Sequence, residues 1–375
     1  MQKEDLDVFV VGAGVIGLST AIRALEAGFS VTIFAEIFPG DEKSIKYASC
    51  WAGADHISVA ATGAFMHELE QETFAVFKGL LKEDPDVPVM VRPHQRYVQD
   101  DQPDNWMNTD HLRNFYPDFS TLDASELPQI AVRGAAFSTL CIDVPRYLPY
   151  LMNRFLASGG RAFRTTLPSL SALLSNTDRP TFEVFPPNSS RSPPTLRPTA
   201  VINCTGLGAL SIGDVLDTRV YPTRGEVLII RAPWVQRDSG FRWTDGHISY
   251  MIPRQTGDVI LGGTYQPDDW HPKSRPETVK LIKEHGIQAF PELLHPSKRE
   301  TLNIEDLDVI EECVGLRPTR KGGVRLEIES LAVGERTIPI VHNYGHGGAG
   351  YQSSWGSATR AVQLLKSVLK TDSVY

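Results

Sequence analysis

The sequence predicts an α/β fold in which a largely parallel sheet, gathered from the start, middle and end of the chain, is intermeshed with a second, sheet-rich domain. Two observations carry this. The chain opens with apolar Val8–Val11, runs into Gly12-Ala13-Gly14-Val15-Ile16-Gly17, and continues with Leu18, Ala21, Ile22 and Leu25 at helical spacing. Strand followed by glycine punctuation then returns at Ala200–Gly208 and at Tyr344–Gly350. A tandem arrangement of two domains explains the terminal glycine turn less well.

Val8–Val11 has no polar alternation, which suits a strand buried on both faces. Gly12, Gly14 and Gly17 have the spacing that allows a tight turn, close backbone approach to a pyrophosphate, and helix-on-strand contact. Gly28 closes the helix, Val31–Phe34 begins a second strand, and Glu36 follows Gly17 by about twenty residues, where a ribose-binding carboxylate is placed. A bound dinucleotide is the reading of this unit.

Beyond residue 60 the pattern changes. Met66–Lys82 is helical in a mixed way, Ala131–Phe137 and Cys141–Val144 are extended, and Tyr147, Leu148, Leu151, Phe155 and Leu156 mark a helix ended by Gly159-Gly160. The Pro- and Ser-rich stretch Asp178–Thr199 reads as a surface hairpin around Phe182–Phe185. Glu226–Arg231, Ile248–Pro253 and Val259–Thr264 read as strands, the last two joined by a turn at Gln255–Asp258. Pro276–Phe290 and Trp355–Leu369 read as helices. The expected cofactor domain is 1–60, 130–220 and 300–375, and the expected substrate domain 61–129 and 221–299.

Composition narrows the function class. The chain has 375 residues, a formal charge of −8 and no basic block, which argues against nucleic acid as a partner. It has no secretory n- and h-region and no apolar run long enough for a membrane helix. The four cysteines, Cys50, Cys141, Cys204 and Cys313, have no metal spacing and read as buried thiols. Asn188-Ser189-Ser190 matches a glycosylation sequon and is read as chance.

Five segments in order, VVGAGVIGLSTA (10–21), ASCWAGA (48–54), YPTRGE (221–226), YMIPR with LGGTYQ (250–254, 261–266), and VGLRP with VHNYGHGGAGYQSSWG (314–318, 341–356), resemble the D-amino-acid oxidase family, which includes the D-aspartate oxidases. The resemblance spans nearly the whole chain and is closest to fungal members. It implies a Rossmann-like FAD-binding domain intermeshed with the substrate domain. It also implies non-covalent FAD and oxidation of D-amino acids by dioxygen, with hydride passing from the α-carbon to flavin N5. The products are 2-oxo acids, ammonia and hydrogen peroxide, and no metal is required.

Residue by residue, the resemblance implies that Arg317 binds the substrate carboxylate, a task suited to a planar guanidinium fork. Tyr250 supplies a hydroxyl to the same carboxylate, the Gly348 carbonyl accepts from the substrate amine, and Gln352 sits near amine and flavin. The cofactor set is Gly12, Ala13, Gly14, Val15, Ile16, Gly17, Glu36, Ser49, Gly53, Gly206, Arg317, Gly347, Gly348, Ala349, Gly350, Tyr351 and Gln352. His56 and Arg242 are the two positions from which a basic group would attract an acidic side chain. Mammalian-type D-aspartate oxidases instead place arginine where this chain has Tyr265. The resemblance further implies a homodimer or higher homo-oligomer and peroxisomal residence. The ending Ser373-Val374-Tyr375 is not of the Ser-Lys-Leu type, which leaves the cytoplasm as the other expectation.

Overall fold

The computed structural model describes residues 6–58, 60–102, 106–174, 180–187 and 197–371, so the sequon at Asn188 and the terminal Ser373–Tyr375 lie outside the described residues. The opening forms β1 (Asp7–Val11), α1 (Val15–Glu26) and β2 (Ser30–Ala35), with β1 and β2 parallel and Val8 opposite Val31. The chain then builds α2 (Phe65–Glu83), β3 (Val89–Val98), α3 (Thr109–Phe115), β4 (Ser120–Thr121) and β5 (Arg133–Ile142). Next come α4 (Val144–Ala157), β6 (Arg161–Arg164), β7 (Glu183–Phe185), β8 (Ala200–Asn203) and the long β9 (Val220–Arg231). β10 (Asp238–Arg242), β11 (Ile248–Pro253), β12 (Asp258–Gly262), β13 (Gln266–Pro267) and α5 (Pro276–Ala289) follow. β14 (Val309–Arg320), β15 (Arg325–Val333), β16 (Arg336–Tyr344) and α6 (Ser354–Thr371) complete the chain.

The chain forms two units, one of residues 1–50, 148–222 and 317–375, the other of 51–147 and 223–316. Both units are discontinuous in sequence. Residues 51–60, 130–147 and 300–316 belong to the second unit. An apolar extended run such as Ala131–Phe137 suits either sheet, and its partner decides: β5 pairs along its whole length with β3, and β14 pairs with β9.

The first unit contains a seven-stranded sheet in the order β15-β16-β8-β1-β2-β6-β7. Its five inner strands are parallel, and β15 and β7 are antiparallel edges. Phe9, Phe34 and Phe163, from adjacent strands, pack one face, with the Phe9 and Phe34 rings edge-on at 4.9 Å. α1 and α6 pack against each other, and the Ser19 hydroxyl donates to Ser354 O at 3.3 Å. Gly12, Glu36, Gly206 and Gly345 all lie just past the carboxyl ends of parallel strands, β1, β2, β8 and β16. That end of an open α/β sheet is where ligands bind.

Close approach, more than turn shape, fixes the glycines. A Cβ on Gly12, whose φ is +108°, would lie 2.5 Å from Cys204 O, and one on Gly17 would lie 2.0 Å from Gly12 O.

The second unit is a nine-stranded, mostly antiparallel sheet in which β3 and β10 run parallel. Period-two alternation along β9 divides its faces. Leu228 and Ile230 join Met251, Leu261 and the α5 residues Val279 and Ile282, while Val227 and Ile229 join Ile252, Ile260, Trp51 and Tyr250. The YPTRGE segment supplies a fully buried ion pair, with Arg224 Nη2 2.6 Å from Glu226 Oε2. Arg224 also donates to the carbonyls of His271 and Lys273, and Glu226 Oε1 accepts from the Arg275 amide, so the pair holds the 271–275 segment.

Replacing Gly17 by alanine is expected to cost about 1–3 kcal/mol, because backbone and not a flexible side chain must move. Thermal unfolding followed by circular dichroism reads this, and an unchanged melting temperature would contradict the packing described.

Candidate functional site

Within the first unit, three chain segments meet at the turn after β1. The Val15 amide donates to Ser49 Oγ at 3.0 Å, the Tyr47 hydroxyl to Ala13 O at 2.7 Å, and the Tyr351 hydroxyl to Ser49 O at 2.8 Å. Gly14, the N-cap of α1, carries no side-chain cap, and a Cβ there would press on Ser49 Oγ at 2.9 Å. With the Val15 amide taken by Ser49 Oγ, the amino end of α1 presents the positive end of its dipole at Ile16 and Gly17, the environment that suits a phosphate. Glu36, one residue past β2, is half-exposed with Lys46 Nζ 2.7 Å away.

A second set of residues assembles where β14 passes the terminal glycine loop. Thr319 and His346 form an isolated antiparallel bridge, and Gly347–Ala349 make a single 3-10 turn. The Arg317 stem lies over Gly348, since a Cβ on that glycine would be 3.5 Å from Arg317 Cδ. Pro318 lies against Gly206 in the same way, at 3.6 Å. Arg317, Gly206, Gly347 and Gly348, far apart in sequence, are therefore neighbours. Gly350 lies at 4.0 Å from the Val15 side chain by the same measure, and Gln352 is buried one turn on.

This arrangement is braced from below by Asp217. Its carboxylate takes hydrogen bonds from Arg320 Nε at 2.7 Å, the Tyr344 hydroxyl at 2.8 Å and the Arg219 amide at 3.0 Å. Arg320 is three residues past Arg317, and Tyr344 directly precedes the glycine loop, so one carboxylate ties the two together. Burial pushes the Asp217 carboxyl up, but these bonds more than offset it, and the group titrates below its ordinary value of 3.8.

In the second unit, Tyr250 on β11 faces Gly262 on β12, and a Cβ on Gly262 would fall 2.1 Å from the tyrosine ring. The glycine of LGGTYQ thereby makes room for the ring. Gly53 packs on Ile252. His56 is fully buried, with Nε2 3.0 Å from Glu70 O and its ring among Phe74, Phe77 and Phe115. Arg242 Nη2 is 2.6 Å from Asp100 Oδ1. The structure thus gives each of the two basic candidates a protein partner.

A family model described as FAD dependent oxidoreductase matches residues 7–364. The chain belongs to the FAD-dependent oxidoreductase family. It is 35% identical to a D-aspartate oxidase of Cryptococcus neoformans, covering 96% of both chains. It is 33% identical to a D-amino-acid oxidase of Schizosaccharomyces pombe, covering 99% of both. Among solved structures, glycine oxidase from Bacillus cereus superposes with a TM-score of 0.71 over 97% of this chain and 95% of that one, at 17% identity. L-proline dehydrogenase from P. horikoshii reaches 0.72 over 97% and 94%, at 12% identity. These two likenesses establish the shared fold.

The first unit's residues fit FAD. The positive end of α1 and the side-chain-free cradle of Gly12 and Gly14 suit the pyrophosphate, and the Glu36 carboxylate suits a ribose. His346 adds an independent mark: it is buried, and its Nε2 has no hydrogen-bond partner among the described residues. Burial pushes this imidazole down to about 3, so it is neutral, with a polar atom left for a ligand. Sequence reading missed His346, Tyr47 and Asp217. Tyr47 immediately precedes ASCWAGA, and His346 lies inside the terminal glycine string, so both had a positional signal; Asp217 had none.

Asp217→Asn leaves Arg320 buried without its charge partner and is expected to cost about 3 kcal/mol at pH 7. A carboxyl whose folded value is lowered stabilises fully above its ordinary value and loses that contribution as pH falls through the folded one. The melting-temperature gap between wild type and Asp217→Asn should therefore be widest near neutrality and narrow below 3.8. A gap independent of pH would remove Asp217 from its role as an ionised brace.

Proposed function

We propose that this chain is an FAD-dependent oxidase that deaminates D-amino acids to 2-oxo acids, ammonia and hydrogen peroxide. The observation that carries it is near-full-length identity of 33% and 35% to a D-amino-acid oxidase and a D-aspartate oxidase. In support, Arg317 of the VGLRP motif lies directly over Gly348.

In this reading the Arg317 guanidinium takes the substrate carboxylate in two parallel charge-assisted hydrogen bonds, and the Gly348 carbonyl accepts from the amine. Gln352 is assigned to the amine side. Holding both groups turns the single α-hydrogen toward the reactive direction in one enantiomer and the side chain there in the other, which sets handedness by orientation alone. The α-carbon gives up that hydrogen as hydride while the amine lone pair forms the C=N bond, so no side chain has to act as general base. FAD, when bound, would supply the hydride acceptor and the two-electron route to dioxygen. Water then hydrolyses the imino acid. The resemblance also supports a homo-oligomer and peroxisomal residence.

The second reading, selectivity for D-aspartate and D-glutamate, is favoured by the Cryptococcus relative. Against it, the Arg242 charge is already matched by Asp100, and an acidic substrate would have to compete for it.

Anaerobic addition of D-alanine, D-phenylalanine, D-aspartate, D-glutamate and their L-forms, with visible absorbance followed, separates these readings. Bleaching by neutral D-forms supports a general oxidase, and bleaching confined to acidic D-forms supports the second reading. No bleaching by any D-form would overturn both. Arg317→Ala is expected to lower kcat/KM by about 2–5 kcal/mol of transition-state stabilisation, and near-normal turnover would take Arg317 out of the site.

A further inference from the structure

Asp55, His94 and Asp238 lie far apart in sequence and are brought together inside the second unit. One ligating atom from each falls within 4.8 Å of the others, and this is the group of metal-ligating type found among the described residues. Register explains the meeting. His94 on β3 and Asp238 on β10 are direct partners in the parallel pair, and Asp55 bridges to Cys141 on β5, the strand on the other side of β3.

The site is dry. His94 is 1% exposed and Asp238 is fully buried. His94 Nδ1 is 3.2 Å from Asp238 Oδ2, the two carboxyls are hydrogen-bonded to each other, and neither His94 ring nitrogen makes a hydrogen bond to the described residues. Buried polar atoms are seldom left in this state, so the cluster asks for a ligand.

We propose that Asp55, His94 and Asp238 form a binding site for one divalent transition-metal ion of the zinc type, tying the 51–58 segment to β3 and β10. One imidazole and two carboxylates form a borderline-to-hard donor set, and a water completes four-coordination. A tetrahedral ion with bonds of about 2.0–2.2 Å holds its ligand atoms roughly 3.4 Å apart. The His94–Asp238 separation already meets this, and Asp55, which is outside the regular strands, closes the remainder. Arg96 is the charge that acts against a cation here. Its guanidinium stacks on Trp106 and donates to Trp106 O, and the two carboxylates outnumber it. The Cys141 thiol, 3.7 Å from Asp238 Oδ2, lines the site without belonging to the ligating group. This inference is independent of the oxidase reading, because it concerns metal held by the folded chain.

The test uses the flavin-loaded protein, stripped by dialysis against a chelator, re-equilibrated with zinc and passed through gel filtration. Metal per chain is measured by plasma mass spectrometry and stability by thermal unfolding. The expected result is about one retained zinc per chain and a higher melting temperature with zinc. Asp238→Asn and His94→Gln should retain under about a tenth of that at unchanged visible flavin absorbance. If either core variant fails to fold, Asp55→Asn, at the less buried ligand, gives the same comparison. Wild type that retains no zinc, or zinc retained equally by wild type and the variants, overturns the proposal.

Discussion

Backbone pressed on backbone is the constraint on which the first unit depends. The turn after β1 can approach Cys204 O and start α1 where it does only because Gly12 and Gly17 present no side chain. That contact sets how β1 sits beside β8 and how far the first turn of α1 stands from the sheet. Ser49, Tyr47 and Tyr351 are then hydrogen-bonded to positions whose place is already fixed. The cofactor cradle is therefore a property of main-chain packing, with side chains acting as props.

Charges appear in the interior where a loop must be held in one conformation. Arg224–Glu226 fastens the 271–275 segment, and Asp217 fastens the ends of β14 and β16 on either side of the glycine loop. Buried pairs of this kind contribute little net stability compared with apolar packing of similar volume, while losing one partner is costly. Their placement beside irregular segments accords with a role in selecting one loop geometry.

What could be read from the sequence was what local rules encode. Strand β1, helix α1 and strand β2 follow from an apolar run, three glycines and helical spacing, and α6 begins one residue before the predicted Trp355. Domain borders were less legible, because the apolar stretch that became β5 carries no mark of which sheet will receive it. The proposed substrate and cofactor residues were reached through family strings. The Asp217 brace and the Asp55, His94 and Asp238 cluster were invisible for one reason: each joins residues separated by dozens to well over a hundred positions, and no periodicity links them. His56 and Arg242 could be named from sequence, but their partners Glu70 and Asp100 could not.

The packing of α6 on α1 has a further consequence, for synthesis. The first unit's opening residues emerge early, but the strand that flanks β8 and the helix that covers α1 are translated more than three hundred residues later. Until then the apolar flank of α1 lacks its cover, while the second unit's discontinuous sheet is still being completed. Such non-local pairing is slow and leaves nascent surface exposed. The nascent chain should therefore depend on holdase protection through most of its translation, and ligand added during synthesis would have no finished cradle to bind until the last helix docks.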